Sequence, residues 1–477
     1  MSHAPPWISV SALLVLAVVV LDLYAIGRAV MRGRGVDRTL TWVFAILALP
    51  GLGAAAYLLV ANPSVGKTIQ RKRIARDVIR RTVGERLGQL ELPSSEAGSI
   101  LRLATSATGL PPSIGNSVEL LATDDGAFER IEAALRAAKR FIWAEYYLIG
   151  DDETGHRFLE VLATKAAEGI DVRLLYDAVG SMHLDAKRLR AIEAAGGRVA
   201  AFLPVNPLRR RWTVLLRNHR KMIMIDGELG FAGGMNIGDQ YSGRSRRRGA
   251  RYFRDSHLGL RGPVVTDLTQ VFCEDWWFAT EELLELPPPS PVERGSSVVA
   301  LVPSGPDQEH NASGMVYFAG IASARERCYL TSPYFIPDEA VARALVSAAM
   351  RGVDVRVLVP ERCDVRIAGA AARSYYPGLV RSGVRIFEYR PSMLHTKTMV
   401  VDGAWSIAGS ANVDMRSFGL NFELGALVVD PRFARGLEAR FLRELADSTE
   451  MTSSDLAARR FSQRLAQTTA RLLSPLL

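Results

Sequence analysis

Two apolar runs open the chain and set its first segment apart from the rest. Trp7 to Ile26 carries Asp22 as its one charge, and Leu40 to Ala61 carries none over 22 residues. At about 1.5 Å per residue, each predicts a helix long enough to cross a hydrocarbon core about 30 Å thick. Asp22 falls near one end of its run, where a carboxylate reaches the headgroups at reduced cost. A cleaved leader is disfavoured, because the first run lacks a charged start and a small-x-small cleavage site. The second run has no polar face, which argues against a buried amphipathic helix.

Beyond Leu90 the pattern changes to β-branched runs alternating with amphipathic stretches, and it does so twice. Phe141-Ile-Trp-Ala-Glu-Tyr-Tyr-Leu, a helical stretch near 159–167 and Gly169-Ile-Asp-Val-Arg-Leu-Leu form the first copy. Cys328-Tyr-Leu-Thr-Ser-Pro-Tyr-Phe, a helical stretch near 339–350 and Gly352-Val-Asp-Val-Arg-Val-Leu form the second. Gly197-Arg-Val-Ala-Ala-Phe answers to Gly383-Val-Arg-Ile-Phe in the same order. Strand, helix, strand after a glycine turn predicts α/β units. Leu286-Pro-Pro-Pro-Ser-Pro between the copies suits a stiff linker. The boundaries this suggests are 1–65 for two membrane helices, 66–110 for a juxtamembrane linker, 111–286 and 297–477 for the two copies, and 287–296 between them.

Composition adds a direction. The 477 residues are 48% hydrophobic and 23% charged, which excludes wholesale disorder and leaves ample chain for a core. Basic residues number 59 against 50 acidic, so polyanionic partners are expected: nucleic acid, an anionic membrane surface or phosphorylated substrates. Only seven of the 59 are lysines, which makes each lysine informative. Between Val205 and Arg261 there are 13 Arg/Lys and four Asp/Glu, with Arg209–Arg211 on one side and Arg244, Arg246, Arg247, Arg248 and Arg251 on the other. That run is either a solvated loop or a rim facing lipid headgroups. The tail 453–473 reads as a helix whose Leu456, Phe461, Leu465 and Leu472 pack on the core in preference to a membrane. Cys273, Cys328 and Cys363 have no metal-site or disulfide spacing.

Each copy also carries one polar constellation. Asn218-His219-Arg-Lys221-Met-Ile-Met-Ile-Asp226 leads to Gly233-Gly234-Met-Asn236, and Leu394-His395-Thr-Lys397-Thr-Met-Val-Val-Asp402 leads to Gly409-Ser410-Ala-Asn412. Two solvated strand faces would not place two of seven lysines and two of seven histidines in register. One imidazole per copy supplies a nucleophile and a general acid/base. Lys221, Lys397, Asn236 and Asn412 are suited to holding phosphodiester oxygens, with Ser410 available beside them. Asp255 and Glu423, downstream of the two motifs, are candidates to fix the imidazole tautomers. No metal or cofactor is expected.

Twin H-x-K-x4-D motifs resemble the signature of the phospholipase D superfamily. The surroundings resemble bacterial cardiolipin synthases: Leu49-Pro-Gly-Leu-Gly, Gly115-Asn-Ser-Val-Glu-Leu-Leu, Gly234-Met-Asn-Ile-Gly-Asp, Tyr252-Phe-Arg-Asp255, Ser332-Pro-Tyr-Phe-Ile-Pro-Asp338, Asn412-Val-Asp-Met-Arg-Ser417 and Arg471-Leu-Leu-Ser-Pro. The resemblance implies two pseudo-symmetric α/β/α domains behind a transmembrane helical hairpin. It implies His219 as nucleophile, His395 as proton donor and acceptor, and Lys221, Asp226, Lys397 and Asp402 as further catalytic residues. It implies transfer of a phosphatidyl group between two phosphatidylglycerol molecules, with hydrolysis by water as the alternative. An anionic phospholipid membrane is then the partner and nucleic acid is not. The loop between the runs carries Arg28, Arg32, Arg34 and Arg38, against seven basic residues from Lys67 to Arg81. That bias puts the body in the cytoplasm and the loop outside, in a multi-pass protein of the bacterial inner membrane. Gly234, where the pattern of the second copy has Ser410, removes one hydroxyl. The oligomeric state is not legible.

Overall fold

The computed structural model describes residues 6–31, 36–60, 63–83, 95–123, 126–204, 215–243, 252–287 and 295–474. Most of the Pro-rich stretch 287–296 and the arginines at 209–211 and 244–251 lie outside them. The chain forms two compact units, residues 1–69 with 208–215, and residues 70–207 with 216–477.

In the first unit, α1 (Pro6–Met31) realises the first apolar run. Its Ser11–Met31 portion is the one helix among the described residues long and apolar enough to cross a membrane. The second run departs from expectation. It breaks into α2 (Val36–Ala48) and α3 (Leu52–Val60), each too short to cross. Leu49-Pro50-Gly51 is the cause: proline lacks the N–H that would continue the helix, and Gly51 turns the chain at φ +77°. The two helices then fold back on one another, with Trp42 and Tyr57 edge to face at 5.4 Å between ring centres. Gly53 permits the approach, since a Cβ there would stand 2.4 Å from the carbonyl oxygen of Ala45. Both pack on α1 through Ala25, Ala29, Ile46, Ala54 and Tyr57. Asp22 finds a use here, its carboxylate accepting the Gly51 N–H at 3.0 Å.

In the second unit the two copies share one 16-stranded sheet. The first copy has a parallel set, Phe141–Tyr146, Asp171–Asp177 and Arg198–Phe202, joined by helices Glu153–Ala167 and Ala186–Ala194. An antiparallel set follows: Met222–Ile225, Leu229–Gly233, Ser256–Arg261 and Ser113–Ala122. The second copy repeats the plan with Arg327–Thr331, Asp354–Pro360 and Arg385–Tyr389, then Thr398–Val401, Trp405–Gly409, Asn421–Val429 and Ser297–Ser304. The copies meet where Ser113–Ala122 pairs antiparallel with Ser297–Ser304, Asn116 opposite Ser297.

Strand alternation places helices on both faces, giving three layers. Cys328 and Leu330 face the helices Glu339–Met350 and Arg366–Arg381, while Tyr329 between them stacks on Phe441 of helix Pro431–Ala446. Likewise Ile142 and Ala144 face helix Glu153–Ala167, and Trp143 stacks on Phe272 of helix Val264–Thr280. Two corrections concern the ends of this unit. The tail forms two short helices, Ser453–Ala457 and Phe461–Arg471, and only Leu456 of its four apolar residues is buried. Phe461, Leu465 and Leu472 are 72%, 55% and 77% exposed, because the second helix packs through the opposite side, at Ala470.

The stretch from Gln70 to the end of helix α4 (Pro63–Val83) is seated in this second unit rather than linking to it. Lys72, 2% exposed, meets the Asp275 carboxylate at 2.5 Å, and Arg220 holds the other oxygen of Asp275. Arg76 pairs with Asp307 at 3.1 Å and Arg71 with Glu281 at 2.8 Å. A segment expected as a juxtamembrane linker is thus a helix that buries one face, Lys72, Ala75 and Ile79, on this unit.

Candidate active site

The H-x-K spacing puts histidine and lysine on one side of an extended segment. In both copies the histidine lies just before a fully buried strand, Met222–Ile225 or Thr398–Val401. What fixes each histidine is the other copy. Arg217–Asn218 pairs in parallel with Asn421 and Phe422, and the His219 N–H donates to the Phe422 carbonyl at 2.8 Å. Met393–Leu394 pairs in parallel with Phe253–Arg254, and the His395 N–H donates to the Arg254 carbonyl at 2.7 Å.

The side chains cross over in the same way. His219 Nδ1 lies 2.9 Å from Glu423 Oε2, and His395 Nδ1 lies 2.6 Å from Asp255 Oδ2. A carboxylate on Nδ1 holds the proton there and leaves Nε2 of each ring as the reacting nitrogen. Ser410 completes one arm, donating to Glu423 Oε2 at 2.5 Å and accepting the Leu424 N–H at 2.9 Å. The hydroxyl expected to face phosphate is therefore spent on Glu423. The asymmetry at Gly234 has a steric origin: a Cβ there would stand 2.4 Å from Asp255 Oδ1. In the first copy the orienting carboxylate itself fills that space.

Lys221 Nζ donates to the His219 carbonyl at 2.7 Å and lies 5.3 Å from the centre of the Tyr147 ring. Lys397 Nζ sits 2.6 Å from His395 Nδ1 and 3.6 Å from Asp255 Oδ2. Asn236 is tied down, its amide donating to the Tyr241 hydroxyl at 2.8 Å, and the Tyr241 ring packs on His395 at 5.6 Å. Asn412 is buried with its side-chain oxygen unpartnered.

Asp226 and Asp402 stand apart from this group and correct their assignment as catalytic. Each follows its strand in a left-handed turn, at φ +55° and +52°. The Asp226 carboxylate accepts the N–H groups of Lys139, Arg140 and Phe141 at 2.9, 2.7 and 3.0 Å. Asp402 does the same for Arg325, Glu326 and Arg327 at 3.0, 2.8 and 2.8 Å. Three N–H bonds on one carboxylate make a turn cap that fastens the end of the parallel set.

Two tyrosines complete the walls. Tyr147 meets His219 at 4.9 Å and Tyr334 meets His395 at 6.3 Å, both edge to face. They occupy equivalent places in Tyr-Tyr-Leu and Pro-Tyr-Phe after the first strand of each copy, so the duplication itself was the signal that could have found them.

Electrostatics favour neutral imidazoles between carboxylates that stay ionised. Burial lowers the His219 pKa, with Glu423 pulling it up and Lys221 pushing it down. Burial and the Lys397 ammonium push His395 down to about 4, against the pull of Asp255. Asp255 and Glu423 are buried yet held below their ordinary values by the lysine and histidine that face them. Burial lowers Lys221 to about 7, with Glu423 opposing and Lys397 adding to the shift. A lysine that must be charged to receive an anion gives kcat/KM an alkaline limb. That limb is expected near pH 7 in the free enzyme and higher in kcat, because a bound phosphate restores the ammonium. A kcat/KM profile flat to about pH 9 would show an ordinary, unshifted lysine.

The family model described as "Cardiolipin synthase, PLD-like domain" matches residues 131–276 and 317–445, and "Phospholipase D-nuclease N-terminal" matches 20–62. A cardiolipin synthase of Halalkalibacterium halodurans is 37% identical over 456 residues, covering 94% of this chain and 90% of its own. Cardiolipin synthase A of Pseudomonas fluorescens is 37% identical over 463 residues, covering 96% of each. Among solved structures, phosphatidylserine synthase of Haemophilus influenzae aligns with a TM-score of 0.60 at 14% identity, over 80% of this chain and all of its own, a likeness of fold.

Proposed function

The chain belongs to the cardiolipin synthase family of phospholipase D-like proteins, and on that premise we propose that it transfers a phosphatidyl group from one phosphatidylglycerol to a second, yielding cardiolipin and glycerol. The observation that carries the chemistry is the crossed pair of histidines, each with Nδ1 engaged by a carboxylate of the other copy. His219 Nε2 attacks the donor phosphorus as the P–O bond to glycerol breaks, and His395, charged by a second proton on Nε2 once the phosphate anion beside it raises its pKa, gives that proton to the departing alkoxide. The hydroxyl of the second lipid then loses its proton to His395, its oxygen attacks phosphorus, and the P–N bond breaks. Lys221 and Lys397 carry the charge that offsets the equatorial oxygens. Asp255 and Glu423 act through the imidazoles, and Asp226, Asp402 and Ser410 belong to the scaffold. Purified protein in phosphatidylglycerol micelles should yield cardiolipin and glycerol in equal amounts with little phosphatidic acid. Phosphatidic acid dominating at every lipid density would mean that water is the acceptor.

Membrane attachment is part of the reading. Leu13, Leu14, Val15 and Leu16 of α1 are each about 60% exposed, which suits contact with lipid. We assign one full crossing, by α1, with the α2–α3 pair dipping into the bilayer and returning to the side it left. All eleven basic residues that flank the runs then fall on one face, and the positive-inside bias makes it the cytoplasmic one. A reporter fused at the N-terminus should therefore lie on the opposite face from one fused after the catalytic unit. Both reporters on one face would restore two crossings.

A further inference from the structure

Beside His395 lies a cavity of about 810 Å3 that the transfer chemistry above leaves unused. Three of its lining residues connect it to the imidazole, which does not itself line it. Met393, which lines it, is two residues before His395 and donates its N–H to the Tyr252 carbonyl at 3.3 Å. Tyr252 also lines it, and the adjacent Phe253 packs on the His395 ring at 5.3 Å. Asp364, a third lining residue, accepts the hydroxyl of Tyr334, whose ring edge faces His395.

The lining is cationic. Arg362, Arg366, Arg373 and Arg390 outnumber Glu361 and Asp364. Arg373 is committed to Glu388 at 2.8 Å, and Arg390 makes only a 3.3 Å bond to the Asp447 carbonyl. Among the described residues neither Arg366 nor Arg390 has an ion-pair partner. Pockets of roughly 300–1,000 Å3 hold small ligands, and a glycerophosphate headgroup is well within that range.

On the phosphatidyltransferase reading, we propose that this cavity is the acceptor subsite, in which Arg366 and Arg390 pair with the phosphodiester of the second lipid while its terminal hydroxyl meets His395. That hydroxyl is separated from its phosphate by one glycerol, so whatever places it on Nε2 also brings a second anion beside the first. Lys221 and Lys397 are occupied by the transferred phosphate. Both arginines are exposed, and together their guanidiniums supply the countercharge that a second anion beside the first needs. Water and glycerol carry no phosphate and make no use of the subsite. The arginines should therefore act on the choice of acceptor and leave formation of the phosphatidyl-enzyme unchanged.

The test compares two acceptors on one enzyme. In micelles of phosphatidylglycerol, cardiolipin formation reports the anionic acceptor. Exchange of labelled glycerol into phosphatidylglycerol reports the same intermediate with a neutral one. The double variant Arg366→Ala/Arg390→Ala should lose at least tenfold in the cardiolipin-to-exchange ratio and keep exchange within twofold of wild type, with partial recovery in Arg366→Lys/Arg390→Lys. Retained exchange also reports a folded protein. An unchanged ratio, or both activities falling together, would overturn the subsite. Inorganic phosphate that slows cardiolipin formation in an enzyme whose variant keeps its ratio would mark a site for free anions only, and would overturn it as well. A wild-type enzyme that exchanges glycerol or hydrolyses lipid yet makes no cardiolipin would instead remove the underlying reading.

Discussion

His219→Ala and His395→Ala should each lower phosphatidyl transfer by at least about a thousandfold without loss of fold, because one removes the covalent step and the other the proton. The His219 side chain is 12% exposed and that of His395, at 6%, is buried, so His395→Ala carries the larger stability cost of the two. The two losses are separable. A phosphodiester with a nitrophenol leaving group departs without a proton, so it should restore the first step in His395→Ala and leave His219→Ala inert. Trapping the phosphatidyl group on a peptide with His219 would agree, whereas a trapped peptide with His395 would exchange the two roles. Substantial activity in either variant would end the two-histidine mechanism.

Glu423→Gln and Asp255→Asn should be nearly as damaging, at about 10²–10⁴-fold in kcat. The amides fill the same volume but no longer favour a proton on Nδ1, so Nε2 is presented in the wrong tautomer for part of the time. Because the carboxylates serve opposite copies, Glu423→Gln should impair the step assigned to His219 and Asp255→Asn the step assigned to His395. The nitrophenyl substrate separates them as above. Asp226→Asn is the contrast. It weakens a turn cap made of three N–H bonds, so melting temperature should fall while kcat per folded molecule stays within a fewfold. An Asp226 variant that folds normally and has lost turnover would return that carboxylate to the reaction.

The residues that carry the chemistry were legible because they occur twice. Histidine and lysine in register in both copies have no packing explanation, and the strand, helix, strand order that places them followed from period and glycine turns. The crossing of the copies was not legible. Asp255 and Glu423 each sit downstream of a motif, and nothing in one chain's order says that each orients the histidine of the other. Asp226 and Asp402 misled for a related reason: a motif position implies chemistry, whereas their left-handed backbone and N–H partners are properties of the fold. Charge and length make the second apolar run resemble one span, yet its Leu49-Pro50-Gly51 is a helix stop and turn. In the tail, the spacing of Phe461, Leu465 and Leu472 describes one side of a helix and cannot say whether that side faces protein.

Lys72 decides where this enzyme can be cut. A soluble truncation that starts at residue 95 would keep every motif and every strand of both copies, yet it would discard this ammonium. Asp275 and Glu145 would then share the single guanidinium of Arg220 in a fully buried setting, where Lys72 now helps hold Asp275 down and opposes the burial and the Asp275 charge that push Glu145 up. Loss of one partner from such a group costs about 3–5 kcal/mol. Glu145 is also hydrogen-bonded to the side chain of Asn218, the residue before His219, so the damage would surface at the nucleophile. A truncation that starts before Gln70 keeps the charge balance, and the same reasoning makes a protease cut between 72 and 83 an inactivating event although it falls outside both copies.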